Sequence, residues 1–238
     1  MAVSNSNNVH EKHTGPTALS DFILGWQDGL VNILGIVLGV SAATSDIKIL
    51  LVAALAALGA ESISMGAVAY TSTSARRRHY LKEVEQEKKE IREVPEIERK
   101  EVEDVFKEWG YKGRKLKEMT DGICSNDKAW LEFMMAHELK LGPIAKNAAA
   151  TSFITVTLAT LLGSIIPIIP FLFLPNNIPV GIEWSVALSA ITLFIVGFYE
   201  AKITVGSLWI SGLRMVAIGL TAGFAGYLIG HFLGAAPL

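Results

Sequence analysis

Apolar residues gather into five long runs along this chain, near Phe22 to Ala43, Ile49 to Ser72, Ala148 to Leu174, Ile182 to Ala201 and Leu208 to Leu233. Each is long enough for a helix to cross a hydrocarbon core of ~30 Å at about 1.5 Å per residue. Inside a bilayer the backbone groups of each run must be satisfied within the run, and helices do this without closing a barrel. The pattern therefore predicts an all-α, polytopic membrane protein with five transmembrane helices.

Between the second and third runs the segment reads as a soluble insert of about three helices. The first continues the second span through Arg76 to Arg92 until Pro95, whose ring cannot continue the preceding turn. A second runs from Pro95 to Trp109 and stops at Gly110. After a basic stretch (Lys112, Arg114, Lys115, Lys117), Ser125 or Asn126 caps a third, through Lys140, with Trp130, Phe133 and Met134 as its apolar stripe. The expected division is a polar tail over 1–20, two spans over 21–72, the insert over 73–147 and three spans over 148–238. Pro167 and Pro170 are expected to kink the third span, and Pro175 with Asn176 and Asn177 to end it. Small residues four apart (Gly25/Gly29, Gly35/Gly39, Gly219/Gly223, Gly226/Gly230) permit either a tight bundle or a homodimer.

Charge sharpens this division. From Thr71 to Asn147 the chain holds 17 of its 21 Lys and Arg and 16 of its 23 Asp and Glu, so a net charge of −2 averages over two unlike phases. Lys12, Arg76, Arg77, Arg78, Lys140, Lys146, Lys202 and Arg214 fall on one side of the expected membrane and Lys48 on the other. The positive-inside rule then puts the N-terminus and the insert in the cytoplasm. The first 20 residues lack the charged start, apolar core and cleavage site of a secretory signal. The single Cys124 excludes an internal disulfide, and no Cys/His pattern offers a zinc site. Basic residues interleaved with acids argue against nucleic-acid binding.

Most acids of the insert have a cation one helical turn away: Glu85 faces Lys88 and Lys89, Glu96 faces Lys100, Glu103 faces Lys107 and Glu132 faces Lys128. Glu83, Glu87, Glu90, Glu98, Glu101 and Glu138 have no Lys or Arg at three or four residues on either side. Like charges at that spacing repel. Two readings fit: a solvated acidic face, or a site where a divalent cation cancels the repulsion. Met134, one turn before Glu138, is either core packing or a thioether ligand that favours iron(II) or a similar transition metal over magnesium or calcium.

Asp28 lies inside the first span with Asn32 one turn along, and Glu61 and Met65 form a similar pair in the second. A carboxylate in mid-membrane costs about 2.5 to 3.5 kcal/mol on insertion scales, so Asp28 is expected to face protein or water. It is either satisfied by an interhelical hydrogen bond or part of a translocation path, where carboxylates can exchange a proton for a metal ion. Glu200 and Lys202 are expected at a membrane boundary.

The segments QDGLVNILGIVLGV, SISMGAVAY, IREVPEIERKEVEDVF and AWLEFMMAHEL, in this order, resemble the vacuolar iron transporter family over nearly the whole chain. The resemblance implies a homodimer that moves iron(II) out of the cytosol in exchange for protons, with iron(II) as cargo and no resident cofactor. It implies a metal site of Glu87, Glu90, Glu98, Glu101, Met134 and Glu138, and a path lined by Asp28 and Met65, to which Asn32 and Glu61 are added from their placement. Glu83 falls outside this set. Plant-type members carry an acid where this chain has Ala57, so Glu61 stands in from one turn closer. His137, often an aromatic in the family, is either a further ligand or a surface residue. The membrane would be vacuolar in a eukaryote and the cell membrane in a prokaryote. Competing functions are a carboxylate di-iron ferroxidase, weakened by the absence of Glu-x-x-His pairs, and a membrane metal sensor, which needs no polar group in the span.

Overall fold

The computed structural model describes residues 16–234, and all of their regular secondary structure is helical. The helices are α1 (Pro16–Ala43), α2 (Ile47–Glu93), α3 (Pro95–Glu108), α4 (Gly113–Cys124), α5 (Asp127–Phe133), α6 (Ala148–Phe173), α7 (Ile178–Ile203) and α8 (Leu208–Gly234), with a π-helical turn, Met134–Glu138, continuing α5. Five of them, α1, α2, α6, α7 and α8, are long and apolar enough to cross a membrane. Two compact units result: one takes in the chain up to Tyr70 and from Ala150 onward, the other Thr71–Ala149. Lys12 lies outside the described residues.

In the first unit α1 has neighbours on several sides. Its Leu30, Ile33, Leu34 and Val37 are completely buried. Ile33 and Val37 pack with Leu50 and Ala54 of α2 and Ile168 and Phe171 of α6, while Leu30 and Val31 pack with Leu193 of α7 and Met215 of α8. Glycines set how closely the helices approach. A Cβ on Gly39 would come within 2.9 Å of the Gly226 carbonyl oxygen, and one on Gly226 or Gly230 would run into the carbonyl of Gly35 or Gly39. Toward α6, a Cβ on Gly25 would lie 2.7 Å from the Val156 carbonyl oxygen. The small-residue pairs thus serve packing within one chain, where dispersion between touching backbones replaces the hydrophobic drive that lipid removes.

Pro167 and Pro170 sit inside α6, which continues past both to Phe173. Neither ring has an N–H to give, and Ser185 Oγ of α7 donates to the Pro167 carbonyl at 2.8 Å. Asn177 caps α7 by accepting from the Val180 N–H at 3.3 Å.

The second unit holds one helix more than the sequence pattern predicts. The basic stretch after Gly110 is not a connector but part of α4, whose Leu116 and Thr120 are buried and whose Ile123 is half-buried. These three recur at i, i+4 and i+7, a narrow apolar stripe among lysines. An ion pair between Arg99 of α3 and Asp121 joins α4 to α3. The core of this unit is Ile91, Val102, Phe106, Leu116, Trp130, Phe133 and Met134. Asn126 rather than Ser125 caps α5, accepting from the N–H groups of Lys128 and Ala129 at 3.0 and 3.1 Å. The helix ends two residues before the expected Lys140, which takes the left-handed conformation at φ 54° that commonly closes a helix.

Candidate functional site

Three elements of the second unit present five of the six glutamates without local cations: α2 carries Glu87 and Glu90, α3 carries Glu98 and Glu101, and the π-turn carries Glu138. Pro95, at the first position of α3, lets α2 end at Glu93 and a new helix start at once. Glu87 and Glu98 are buried, with 3% and 4% of their surface exposed. Glu87 Oε1 and Glu98 Oε2 are each buried without a hydrogen-bond partner. Among the described residues, no ion pair uses any of the five.

The five carboxyls act on one another. Burial pushes the Glu87 carboxyl up to about 8, helped by a hydrogen bond with Glu98 and by the charges of Glu98, Glu138 and Glu90. Burial, followed by the charges of Glu98, Glu138 and Glu90, brings Glu101 to about 7. Glu138 is also pushed up, by burial and then by Glu98 and Glu90. Glu90 accepts a hydrogen bond from Gln86 Nε2 at 3.0 Å. Even so, no three His, Cys, Asp or Glu groups among the described residues converge tightly enough to cage an ion. Glu87 and Glu101 each share a hydrogen bond with Glu98, whereas Glu138 is reached by its neighbours through charge alone.

Met134 is completely buried in the core and opens the π-turn, four residues before Glu138. The turn is secured by the Leu139 N–H donating to the Met134 carbonyl at 3.0 Å, five residues back. Such turns insert a residue into a helix and re-aim the side chains that follow, often at functional sites. Glu83 has an ordinary partner, His79 one turn earlier at 3.4 Å, which a count of Lys and Arg alone passes over. His137 packs its ring against Trp109 and Phe133, with centroids 5.0 and 4.7 Å away, as an aromatic side chain would.

In the first unit, Asp28, Asn32 and Glu61 meet. Asn32 Nδ2 donates to Glu61 Oε1, and Asp28 lies within hydrogen-bonding reach of the same carboxyl. Asn32 and Glu61, with Ala57 and Ser64 of α2, line a groove of about 930 Å³ whose other walls include Gly35 and Gly39 of α1 and Gly226 and Gly230 of α8. Asp28 and Met65 are not among its lining residues, so the structure joins Asp28 to Glu61 but does not bring Met65 to the groove wall. Asp21 was not singled out from the sequence. It accepts a hydrogen bond from Ser152 Oγ of α6 and lies seven residues before Asp28, on the same stripe of α1. That i, i+7 spacing of two acids in an apolar helix was the available signal.

Five helices of membrane-spanning length with a carboxyl pair between the first two, and a helical insert bearing buried, mutually repelling glutamates, define a polytopic membrane protein of the all-helical class. The chain belongs to the VIT family, whose model matches residues 19–231. It is 32% identical to Vacuolar iron transporter 2 of Oryza sativa subsp. japonica over 91% of this chain and 88% of that one. It is 31% identical to Vacuolar iron transporter 1 of Arabidopsis thaliana over 92% and 88%. With Protein CCC1 of Saccharomyces cerevisiae it shares 25% identity over 92% of this chain and 70% of that protein.

Proposed function

We propose that this protein transports iron(II) out of the cytosol across a membrane in exchange for protons, and that Glu87, Glu90, Glu98, Glu101, Met134 and Glu138 collect the ion before it passes Asp28, Asn32, Glu61 and Met65. The observation that carries this reading is the pair of buried carboxylates, Glu87 and Glu98, each with an oxygen that no donor satisfies. A buried carboxyl oxygen without a donor is costly, and a second beside it more so. A divalent ion supplies the missing partner to both. Met134, at the head of the π-turn, adds a soft donor suited to iron(II), with manganese(II) as the ion such a mixed set accepts next.

The names of the relatives support iron as cargo and a vacuolar membrane as the location in a eukaryotic host. Raised carboxyls near 7 and 8 support proton coupling at the insert, because binding a metal must release the protons these groups hold near neutrality. A homodimer is supported by Asn32, an amide exposed on a membrane-spanning helix, beside a groove walled by small residues. A second copy covering it would remove a polar group from lipid. The di-iron oxidase reading gains nothing, since the residues three places after Glu87 and Glu98 are Glu90 and Glu101 rather than histidines.

The test is iron(II) uptake into liposomes holding the purified chain, with an imposed pH gradient, for wild type, Asp28→Ala and the double variant Glu98→Ala/Glu101→Ala. Uptake that follows the gradient and falls in both variants is expected. No uptake by wild type in either gradient direction overturns the transporter reading, and an Asp28→Ala variant as fast as wild type overturns the pathway alone.

A further inference from the structure

Glutamates are not the only charges of the second unit without a local partner. Arg76, Arg77 and Arg78 follow one another on α2, and no Asp or Glu stands three or four residues from any of them. Arg76 Nη2 donates to Thr73 Oγ1 at 3.2 Å, and among the described residues no ion pair uses any of the three. Further along α2 the pattern changes: Lys82 and Lys88 each have Glu85 three residues away, and Lys89 pairs with Glu93 at 3.7 Å. Arg77 is the sharpest case. It is half-buried, and its Nε is shut off from solvent with no acceptor. A guanidinium is always charged and carries five N–H groups, and burying one of them unpaired is costly. Its long stem can turn the head outward toward an acceptor.

Position along α2 says which acceptor that is. Lys48 stands at the first turn of the helix, and a hydrocarbon core of ~30 Å takes about 20 helical residues, which brings its other edge to Val68 and Tyr70. Both are exposed, as residues facing lipid and its interface are. Arg76 to Arg78 follow Tyr70 by six to eight residues, a rise of about 9 to 12 Å. A headgroup layer is about 5 to 8 Å deep. Helical side chains lean toward the helix N-terminus, which for α2 is the membrane end, so three long arginines at this height reach back into the layer of lipid phosphates. A guanidinium fork meets two phosphate oxygens at once. A basic run beside a span also orients it in the membrane. Orientation asks only for charge, which lysine supplies equally, and gives no account of the unpaired Arg77 Nε.

We propose that Arg76, Arg77 and Arg78 form a binding site for the phosphodiester headgroup of an anionic phospholipid, in the leaflet that α2 leaves after Tyr70. The headgroup supplies the acceptor that Arg77 lacks and the counter-charge that the protein withholds from all three. The site needs only that α2 crosses a bilayer, and it stands whatever the protein transports.

The experiment titrates the detergent-purified full chain with phosphatidylglycerol or phosphatidylcholine and reads the affinity of the first bound lipid by native mass spectrometry. Wild type is compared with Arg77→Gln, Arg77→Lys, the triple variant Arg76→Gln/Arg77→Gln/Arg78→Gln, and Lys82→Gln, which removes the same charge from α2 beyond the headgroup layer. A cation at an anionic surface is worth about fivefold in affinity, so wild type should bind phosphatidylglycerol at least fivefold more tightly than phosphatidylcholine. The triple variant should bind the two alike, and Lys82→Gln should match wild type. Arg77→Lys keeps the orienting charge, which guards against a chain that inserts wrongly, and its preference should fall between wild type and Arg77→Gln. Equal affinity of wild type for the two lipids overturns the site, as does a triple variant with wild-type preference. A loss in Lys82→Gln as large as in Arg77→Gln would mean a diffuse field, and a wild-type preference in Arg77→Lys would reduce the run to an orienting signal; either overturns the site. Displacement of phosphatidylglycerol by inorganic phosphate at the lipid's own concentration would assign the arginines to free phosphate and overturn the lipid.

Discussion

Glu87 shows how one side chain ties stability to pH. Its carboxyl ionises near 4.5 when free but at about 8 in the fold, so between those values the folded chain holds a proton that the unfolded chain has lost. The folded state then binds more protons, and stability of the metal-free protein falls as pH rises from about 4.5 to about 8. Thermal denaturation in detergent without metal should show a midpoint that declines across this window, and saturating manganese(II) should raise the midpoint most at its alkaline end. Glu87→Gln should flatten the decline, lift the metal-free midpoint at pH 8 by a few degrees, as expected for about 1 kcal/mol in a chain of this size, and abolish the shift with manganese(II). A midpoint that rises with pH would contradict the burial argument. Glutamate spacing within a helix was legible in the sequence because α2 and α3 are regular. The His79 to Glu83 pair and the Asp21 to Ser152 bond were not, the first because imidazole charge is conditional and the second because its partner is 131 residues away.

At the scale of elements, the five long helices were readable because apolar length is a nearly sufficient signal in lipid. The fourth helix of the insert was not, since α4 buries only a narrow stripe and its lysines read as a connector. The π-turn is invisible to any 3.6-residue template, yet it sets where Glu138 points. Deleting Ala136 should restore α-helical spacing, draw Glu138 back along the helix by one residue and re-aim its side chain. Affinity of the full chain for manganese(II), measured by titration calorimetry, should fall by about tenfold or more, the loss expected when one ligand leaves a site, while the core built on Trp130 and Phe133 stays folded. Unchanged affinity would remove Glu138 from the site. Glycine contacts allow a paired comparison. Gly230→Leu should cost at least about 1 to 3 kcal/mol by overpacking against α1, whereas Gly59→Ala, with nothing within 4 Å of its new Cβ, should gain about 0.5 to 1 kcal/mol from helix propensity. Thermal midpoints of the two variants should move in opposite directions.

For the whole molecule, what a membrane does to exposed polar groups becomes the deciding consideration. Asn32 is exposed and Glu61 half-buried in a groove that is otherwise apolar and small-sided. A soluble protein would tolerate this, but a bilayer offers an amide or carboxyl on a helix face no partners beyond those the helices themselves supply. Within one chain the glycines of α1 and α8 are already used against each other, so the small-residue pattern in the sequence does not by itself argue for association; the uncovered polar groups do. Ser64 lines the groove and is exposed, which makes it a reporter of what covers that face. With the lone Cys124 replaced by Ala, a Ser64→Cys chain in native membranes should form a disulfide-linked dimer under mild oxidation. The same substitution at Ile218, an exposed residue of α8 that is not among the groove lining, should cross-link far less. Equal cross-linking at both positions would mean random collision in the membrane, and none at Ser64 would mean that no second copy lies across the groove.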